Sequence, residues 1–371
     1  MTTLCLNMIV KNESKVIRRC LDSIRPFIQT WTIVDTGSTD GTQDIIRGHM
    51  KDIPGELVER PWKNFGHNRS EAIELAGRKA DYLVFIDADN EFVAPEGWRL
   101  PDLTADLYTV LLRDGEFFYH RASVAATRLN WRYAGVLHEY LDCSDPYDPD
   151  VLEGPFIRVN TDGARSQDPM KFEKDASVLE AALADEPGNS RYAFYLAQSY
   201  RDAAQPQKAL EAYQRRAAMG EWDEEIWYSL LEVGKLSERL ELPEETVMQA
   251  YLKAHQARPT RAEALCYLAR YCRIRRKYAL CFRYAKEAAT IPRPADILFL
   301  DDSVYNWRAL DEWSIAAYWT GQYTLSRSLC ERLLIEGRVP QNERARIVEN
   351  LNYSLRVLGL PEIPANQEKS Q

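Results

Sequence analysis

Residues 81–91 read DYLVFIDADNE: an apolar run from Tyr82 through Ile86 that stops on two carboxylates one residue apart, Asp87 and Asp89. An uninterrupted apolar run of this length is the pattern of a parallel strand buried on both faces. The carboxyl edge of such a sheet is where α/β folds bind their ligands, and both acids fall there. Hard carboxylate oxygens suit Mg²⁺ or Mn²⁺, and a diphosphate leaving group requires such an ion. Asp-x-Asp also arises by chance in loops and helix caps, so its surroundings must decide.

The chain opens on a second strand pattern, Leu4, Leu6, Met8, Ile9 and Val10, followed directly by Lys11, Asn12, Glu13 and Ser14. Val16, Ile17, Cys20, Leu21 and Ile24 then recur at helical spacing. Another strand, from Trp31 to Val34, ends in Asp35, and the loop DTGSTDGT at 35–42 supplies short polar side chains to cap a helix expected over 42–50. Asp35 therefore faces the same crevice as Asp87 and Asp89. Strands ending in acids and alternating with helices describe a nucleotide-binding α/β domain. The first strand is not followed by G-x-G-x-x-G, and no G-K-[ST] phosphate loop is present, so a pyrophosphate here must be held by metal and side chains.

KNES at 11–14, VDTGSTDGT at 34–42, NRSEAIELA at 68–76 and FIDADNE at 85–91, in that order, resemble family 2 glycosyltransferases of the GT-A fold over roughly the first 140 residues. The resemblance implies a Rossmann-like nucleotide-diphospho-sugar transferase domain of the hexosyltransferase type. It places Asn12, Glu13, Asp35, Asn68, Arg69 and Asp87 at the donor nucleotide and makes Asp89 the metal ligand. Two departures stand out: the Arg/Asn pair of the family is inverted here as Asn68-Arg69, and a second acid common after Asp35 is Thr36.

Downstream, RLNWRYAGVLHEY at 128–140 reads as a strand entering a pocket loop. Inverting sugar transfer needs a carboxylate to take the acceptor proton, and Glu139 is the candidate base. His138 is a further metal ligand or a diphosphate contact. In isolation the pair also reads as a loop-capping histidine beside a solvated acid; resemblance to family members with His-Glu at this point favours function.

With 371 residues there is room for two domains, and 45% hydrophobic with 28% charged residues describes an ordinary soluble chain. A net charge of -9 argues against a general nucleic-acid binder, and the basic stretch RYCRIRRK at 270–277 reads as a solvated helix face. Seven scattered cysteines form no C-x-x-C pair, the pattern of reduced, buried thiols. No apolar window is long enough for a spanning helix and no room for a signal peptide precedes the first strand, so a cytoplasmic location is expected.

After about residue 165 the strand period disappears. RYAFYLAQSYRD at 191–202 is followed by a helix carrying Ala209, Leu210 and Tyr213; WYSLLEVGKL at 227–236 and CYLARYCRI at 266–274 repeat the pattern, and WSIAAYWTGQY at 313–323 begins a final pair with Gly321 in its turn. These units resemble tetratricopeptide repeats stacked as an all-α solenoid. The division expected is a catalytic domain over 1–165 and a repeat domain over 166–371, joined by a linker at GARSQDPMK, 163–171.

The expectation is a metal-dependent (Mn²⁺ or Mg²⁺) inverting glycosyltransferase whose repeats orient an acceptor glycan, peptide or protein, with homo-oligomerisation open. The rival readings are a nucleotidyltransferase, and an inactive domain within a repeat-based binding scaffold. The sugar, nucleobase and acceptor are not encoded in any motif.

Overall fold

Leu4, Leu6, Met8 and Val10 alternate with Cys5 and Asn7 along β1 (Leu4–Val10), and all six are buried, so this strand is covered on both faces. The computed structural model describes residues 2–115, 117–336 and 338–364, which divide into two compact units, Met1–Asp185 and Glu186–Gln371.

In the first unit β1 is followed by α1 (Ile17–Ile24), β2 (Thr30–Asp35), α2 (Thr42–His49), β3 (Gly55–Glu59), α3 (Phe65–Ala76) and β4 (Tyr82–Phe85). Then come β5 (Glu91–Val93), β6 (Leu107–Asp114), β7 (Phe117–Ala126), β8 (Trp131–Ala134), β9 (Tyr140–Cys143), β10 (Pro149–Arg158) and α4 (Lys171–Asp185). Eight strands form one sheet in the order β3-β2-β1-β4-β7-β6-β10-β5, and β8 and β9 form a separate ribbon. The run β3-β2-β1-β4 is parallel, whereas β7 is antiparallel to both β4 and β6. Chain order reverses between β1 and β4, which makes their carboxyl ends the switch point at which such sheets bind ligands.

One face of the sheet packs on α1 and α2: Leu6, Met8, Val84 and Ile86 share a core with Ile17, Leu21, Ile24 and Ile46. On the other face Cys5, Leu83 and Phe85 meet Ile73 and Ala76 of α3 together with Trp131 and Leu141 of the ribbon. The strand β3 lies outside the sequence reading, because Gly55 and Glu56 are exposed at the sheet edge and carry no apolar pattern.

The second unit contains α5 (Ser190–Asp202), α6 (Pro206–Ala217), α7 (Asp223–Arg239), α8 (Glu244–Ala257), α9 (Glu263–Ile274), α10 (Tyr278–Thr290), α11 (Ala309–Trp319), α12 (Tyr323–Ile335) and α13 (Gln341–Val357). Its repeat is written in the backbone. In each of four pairs the first helix ends on a left-handed residue: Ala204, Glu241, Arg276 and Gly321. The next amide closes back five residues, Gln205 to Tyr200, Leu242 to Ser237, Lys277 to Cys272 and Gln322 to Ala317, the Schellman closure. Only Gly321 is the residue type that announces such a turn, so the other three left no mark in the sequence.

The break between units falls at 185/186 rather than 165/166, and 163–171 is not a linker. Gly163 and Ala164 line the acidic edge of the sheet, and Arg165 reaches forward to Asp175 of α4 at 2.7 Å, tying this stretch to the first unit.

Candidate active site at the carboxyl edge of the sheet

The two motifs that follow β1 and β2 are fastened to each other side chain to backbone. Asn12 donates its amide to Ser38 Oγ at 2.8 Å, Glu13 to Thr42 Oγ1 at 2.9 Å and Ser14 to Asp40 Oδ2 at 2.9 Å. In return Asn12 Oδ1 accepts from Thr39 N at 2.8 Å. Asn12 stands in the left-handed region at φ 59, which asparagine tolerates better than most residues. Its side chain therefore braces the loop, where the resemblance placed it on the nucleotide. Asp40 also accepts from Thr42 N and Oγ1 at the start of α2. Slight burial opposes ionisation, but these hydrogen bonds from Ser14 and Thr42 bring the Asp40 carboxyl down to about 2.

Asp35 is 1% exposed at the end of β2. Its Oδ1 accepts the amides of Gly37 and Ser38 at 2.9 and 2.8 Å, and its Oδ2 has no hydrogen-bond partner among the described residues. A buried, unpaired carboxylate oxygen is costly, and an N–H donor from a ligand would satisfy it.

The most connected side chain in the crevice is Arg69. Its Nη2 lies 2.6 Å from Asp87 Oδ1 and its Nε 2.7 Å from Glu139 Oε1, while the guanidinium sits 5.5 Å over the Tyr133 ring. The other oxygen of Asp87 takes Arg121 Nη1 at 2.8 Å. Burial alone would push the Asp87 carboxyl up; Arg121 and Arg69 outweigh it and hold the group well below the usual carboxylate range. Arg121 is the residue that sequence reasoning missed: it stands mid-strand in β7 without a motif, and only the antiparallel pairing of β7 with β4 brings it beside Asp87.

Arg69 can reach both acids because α3 starts against the 133–139 loop. Ser70 Oγ donates to Tyr133 O and accepts from Tyr133 N, Phe65 N donates to Val136 O, and a Cβ on Gly66 would come within 2.1 Å of the Gly135 carbonyl oxygen. Only glycine permits that approach. Asn68, expected on the donor, is instead fully buried: Oδ1 accepts from Lys63 N at 2.9 Å and Nδ2 donates to Pro61 O at 3.1 Å. The inverted pair thus divides its work, Asn68 shaping the 61–63 turn and Arg69 serving the acids. His138 stands exposed on the same loop at φ 51, one residue before Glu139.

Asp89 is enclosed by the segment after β10. Asn160 Nδ2 and Arg19 Nη2 hold its carbonyl oxygen at 2.9 and 2.8 Å, and the Gly163 backbone lies so close that a Cβ there would meet Oδ2 at 2.6 Å. Glu13 shares this corner, its Oε2 accepting from Ala164 N at 3.1 Å. Burial and then the neighbouring Asp87 push Asp89 up to about 6; burial, with the charge of Asp89 adding to it, pushes Glu13 up to about 7. Two crowded, partly desolvated carboxylates form a hard, anionic corner that suits a divalent cation. Among the described residues no group of three or more His, Cys, Asp or Glu could hold a metal by itself, so a cation here would need ligands from the substrate.

The first unit thus sets acids and paired arginines at the switch point of its sheet, where such sheets bind ligands. In agreement, residues 5–99 match the family "Glycosyl transferase family 2". The first unit is thus similar to a family 2 glycosyl transferase domain over residues 5–99, and the paired helices of the second unit resemble tetratricopeptide repeats. The SPbeta prophage-derived glycosyltransferase SunS of Bacillus subtilis (strain 168) is 39% identical over 89 residues, 24% of this chain and 20% of SunS. The TPR repeat-containing protein Synpcc7942_0270 of Synechococcus elongatus (strain ATCC 33912 / PCC 7942 / FACHB-805) is 30% identical over 154 residues, 39% of this chain and 36% of that protein. The matches therefore span a fifth and little more than a third of these relatives. Among solved structures, BtubC from P. vanneervenii aligns with 53% of this chain and 85% of its own at 14% identity and TM-score 0.40. Among the described residues no helix is long and apolar enough to cross a membrane.

Proposed function

We propose that the chain transfers a sugar from a nucleoside diphosphate donor to an acceptor hydroxyl with inversion, and that the repeat unit orients an acceptor glycan or polypeptide. The observation that carries this reading is the single guanidinium of Arg69 joining Asp87, on the strand that ends in Asp-x-Asp, to Glu139. Asp35 Oδ2 is an acceptor for a base N–H. Glu139 takes the acceptor proton as the hydroxyl oxygen bonds to the anomeric carbon and the bond from that carbon to the diphosphate oxygen breaks, its electron pair leaving with the diphosphate. The charge of Arg69 keeps Glu139 close, and Arg121 with Arg69 keeps Asp87 ionised. Asp89, with His138 as a second candidate ligand, would hold a divalent cation, which would supply charge neutralisation to the departing diphosphate. The repeat-based scaffold reading accounts less well for Asp35, whose unpaired oxygen asks for a ligand.

The test is a thermal-shift and hydrolysis panel of nucleotide sugars with and without Mn²⁺, on the full chain and on Asp89→Ala. One nucleoside diphosphate should stabilise the wild type by about 2.7 kcal/mol at a hundredfold excess over its Kd. Hydrolysis should require metal and vanish in Asp89→Ala. Absence of stabilisation by every nucleotide with metal present would overturn the reading.

A further inference from the structure

The four Schellman turns of the repeat unit stand at 204, 241, 276 and 321, spaced 37, 35 and then 45 residues apart. The excess falls between α10 and α11, in residues 291–301. This stretch has neither helix nor strand, and it runs back to the helices of earlier repeats instead of crossing directly to α11. It is held there largely as a bound peptide is held. Glu224 Oε2, in the first turn of α7, accepts the backbone amides of Ile297 and Leu298 at 3.0 and 2.7 Å. Arg261 donates to the carbonyls of Leu298 and Phe299 at 3.3 and 3.4 Å. Three side chains of the strap are read: Asp296, by Arg258 at 2.5 and 2.7 Å and Arg261 at 3.2 Å; Phe299, whose ring lies 4.8 Å from Tyr228 and 6.4 Å from Phe194; and, at its end, Asp301, which accepts from the Tyr267 hydroxyl at 2.9 Å and from Arg308 at 3.1 Å.

Arg261 is also held by groups outside the strap: it is clamped on Glu263 at 2.7 Å and stacked 3.8 Å over the Trp227 ring, so little of its freedom remains to be lost. The strap itself is shallow: Ile297 is 80% and Phe299 51% exposed, and Phe299 sits at φ 44, a conformation that bulky residues rarely adopt. A permanent core element would bury these side chains. Main-chain recognition with one acidic and one aromatic anchor is a peptide-docking mode.

We propose that this face of α5, α7 and the 258–261 turn is a peptide-binding groove for extended segments carrying an acid three residues before an aromatic, with Asp296-Ile297-Leu298-Phe299 as its resident occupant. A partner segment of that chemistry replaces the strap. The proposal stands on the repeat unit alone and does not depend on the glycosyl transfer reading.

The probe is a fluorescein-labelled synthetic peptide with the sequence of residues 293–301, titrated by anisotropy into the full chain and into its Asp296→Ala/Phe299→Ala variant. With its own strap weakened, the variant should bind the peptide at least tenfold more tightly than the wild type, because apparent affinity scales with the fraction of open groove. Adding Glu224→Gln to that variant should reverse most of the gain, and a peptide with alanine at both anchors should not bind. Absence of saturable binding to the folded variant, or equal binding of the substituted peptide, overturns the proposal. Hydrogen exchange on the wild-type chain tests it without any variant. The amides of Ile297 and Leu298 should exchange at least roughly 100-fold faster than core amides of α7 and α9. Exchange at the same rate would make the strap part of the cooperative core and overturn the proposal as well.

Discussion

Arg69 Nε lies 2.7 Å from Glu139 Oε1, although the two residues are 70 positions apart and stand on different elements, α3 and the loop between β8 and β9. The candidate base is thereby ion-paired to the same side chain that holds Asp87, although the angle at Nε is not that of a hydrogen bond. Lysine carries the charge but not the planar fork, so it cannot serve both acids at once. Arg69→Lys is therefore expected to lower turnover by roughly 10² while the far-ultraviolet circular dichroism stays that of the wild type. Wild-type turnover in this variant would show that the bridge does not matter to the reaction.

Glu139→Gln keeps the size of the side chain and its hydrogen-bonding capacity but removes the proton acceptor. Turnover should fall by roughly 10² or more with nucleotide Kd changed only a few-fold. Isothermal titration alongside steady-state rates separates the two. Equal loss of binding and rate would move Glu139 from proton transfer to donor binding.

The clasp between the first two loops should be visible in stability. Asp40→Ala removes the acceptor for Ser14 N and Thr42 N and should cost about 1 kcal/mol at neutral pH, the usual scale for a lost capping carboxylate. Because the folded-state value lies below the ordinary one near 3.8, this contribution is present above pH 3.8 and is lost as pH falls toward about 2. Urea midpoints of variant and wild type should converge across that window; a constant gap would mean the carboxylate charge is not what holds the clasp.

Gly66→Ala places a Cβ 2.1 Å from the Gly135 carbonyl oxygen, a contact that backbone must relieve. A loss of about 1–3 kcal/mol is expected from overpacking, with turnover reduced further because Arg69 and Glu139 are drawn apart. Activity that simply tracks the folded fraction would confine Gly66 to a structural role.

Successive residues carry what the sequence by itself determined: acid-ended strands, the capping loop after β2, the helical period after 165, and the strand-end positions of Asp35, Asp87 and Asp89. A buried strand or an amphipathic helix is a local pattern, so its period survives in one dimension. The roles of the two asparagines and the inverted Asn68-Arg69 pair did not survive in that way, because a side chain's task depends on what the fold sets opposite it. Arg121 reaches Asp87 across 34 residues, and only the sheet order β1-β4-β7 puts it there. Gly163 and Ala164 read as linker until the return of β10 laid them over Asp89 and Glu13. The strap at 291–301 carries no motif, and tertiary structure alone seats it on Glu224, Arg258 and Arg261. Each of these contacts joins groups that are distant in the chain, and their geometry follows from strand pairing and helix stacking rather than from any run of neighbouring residues.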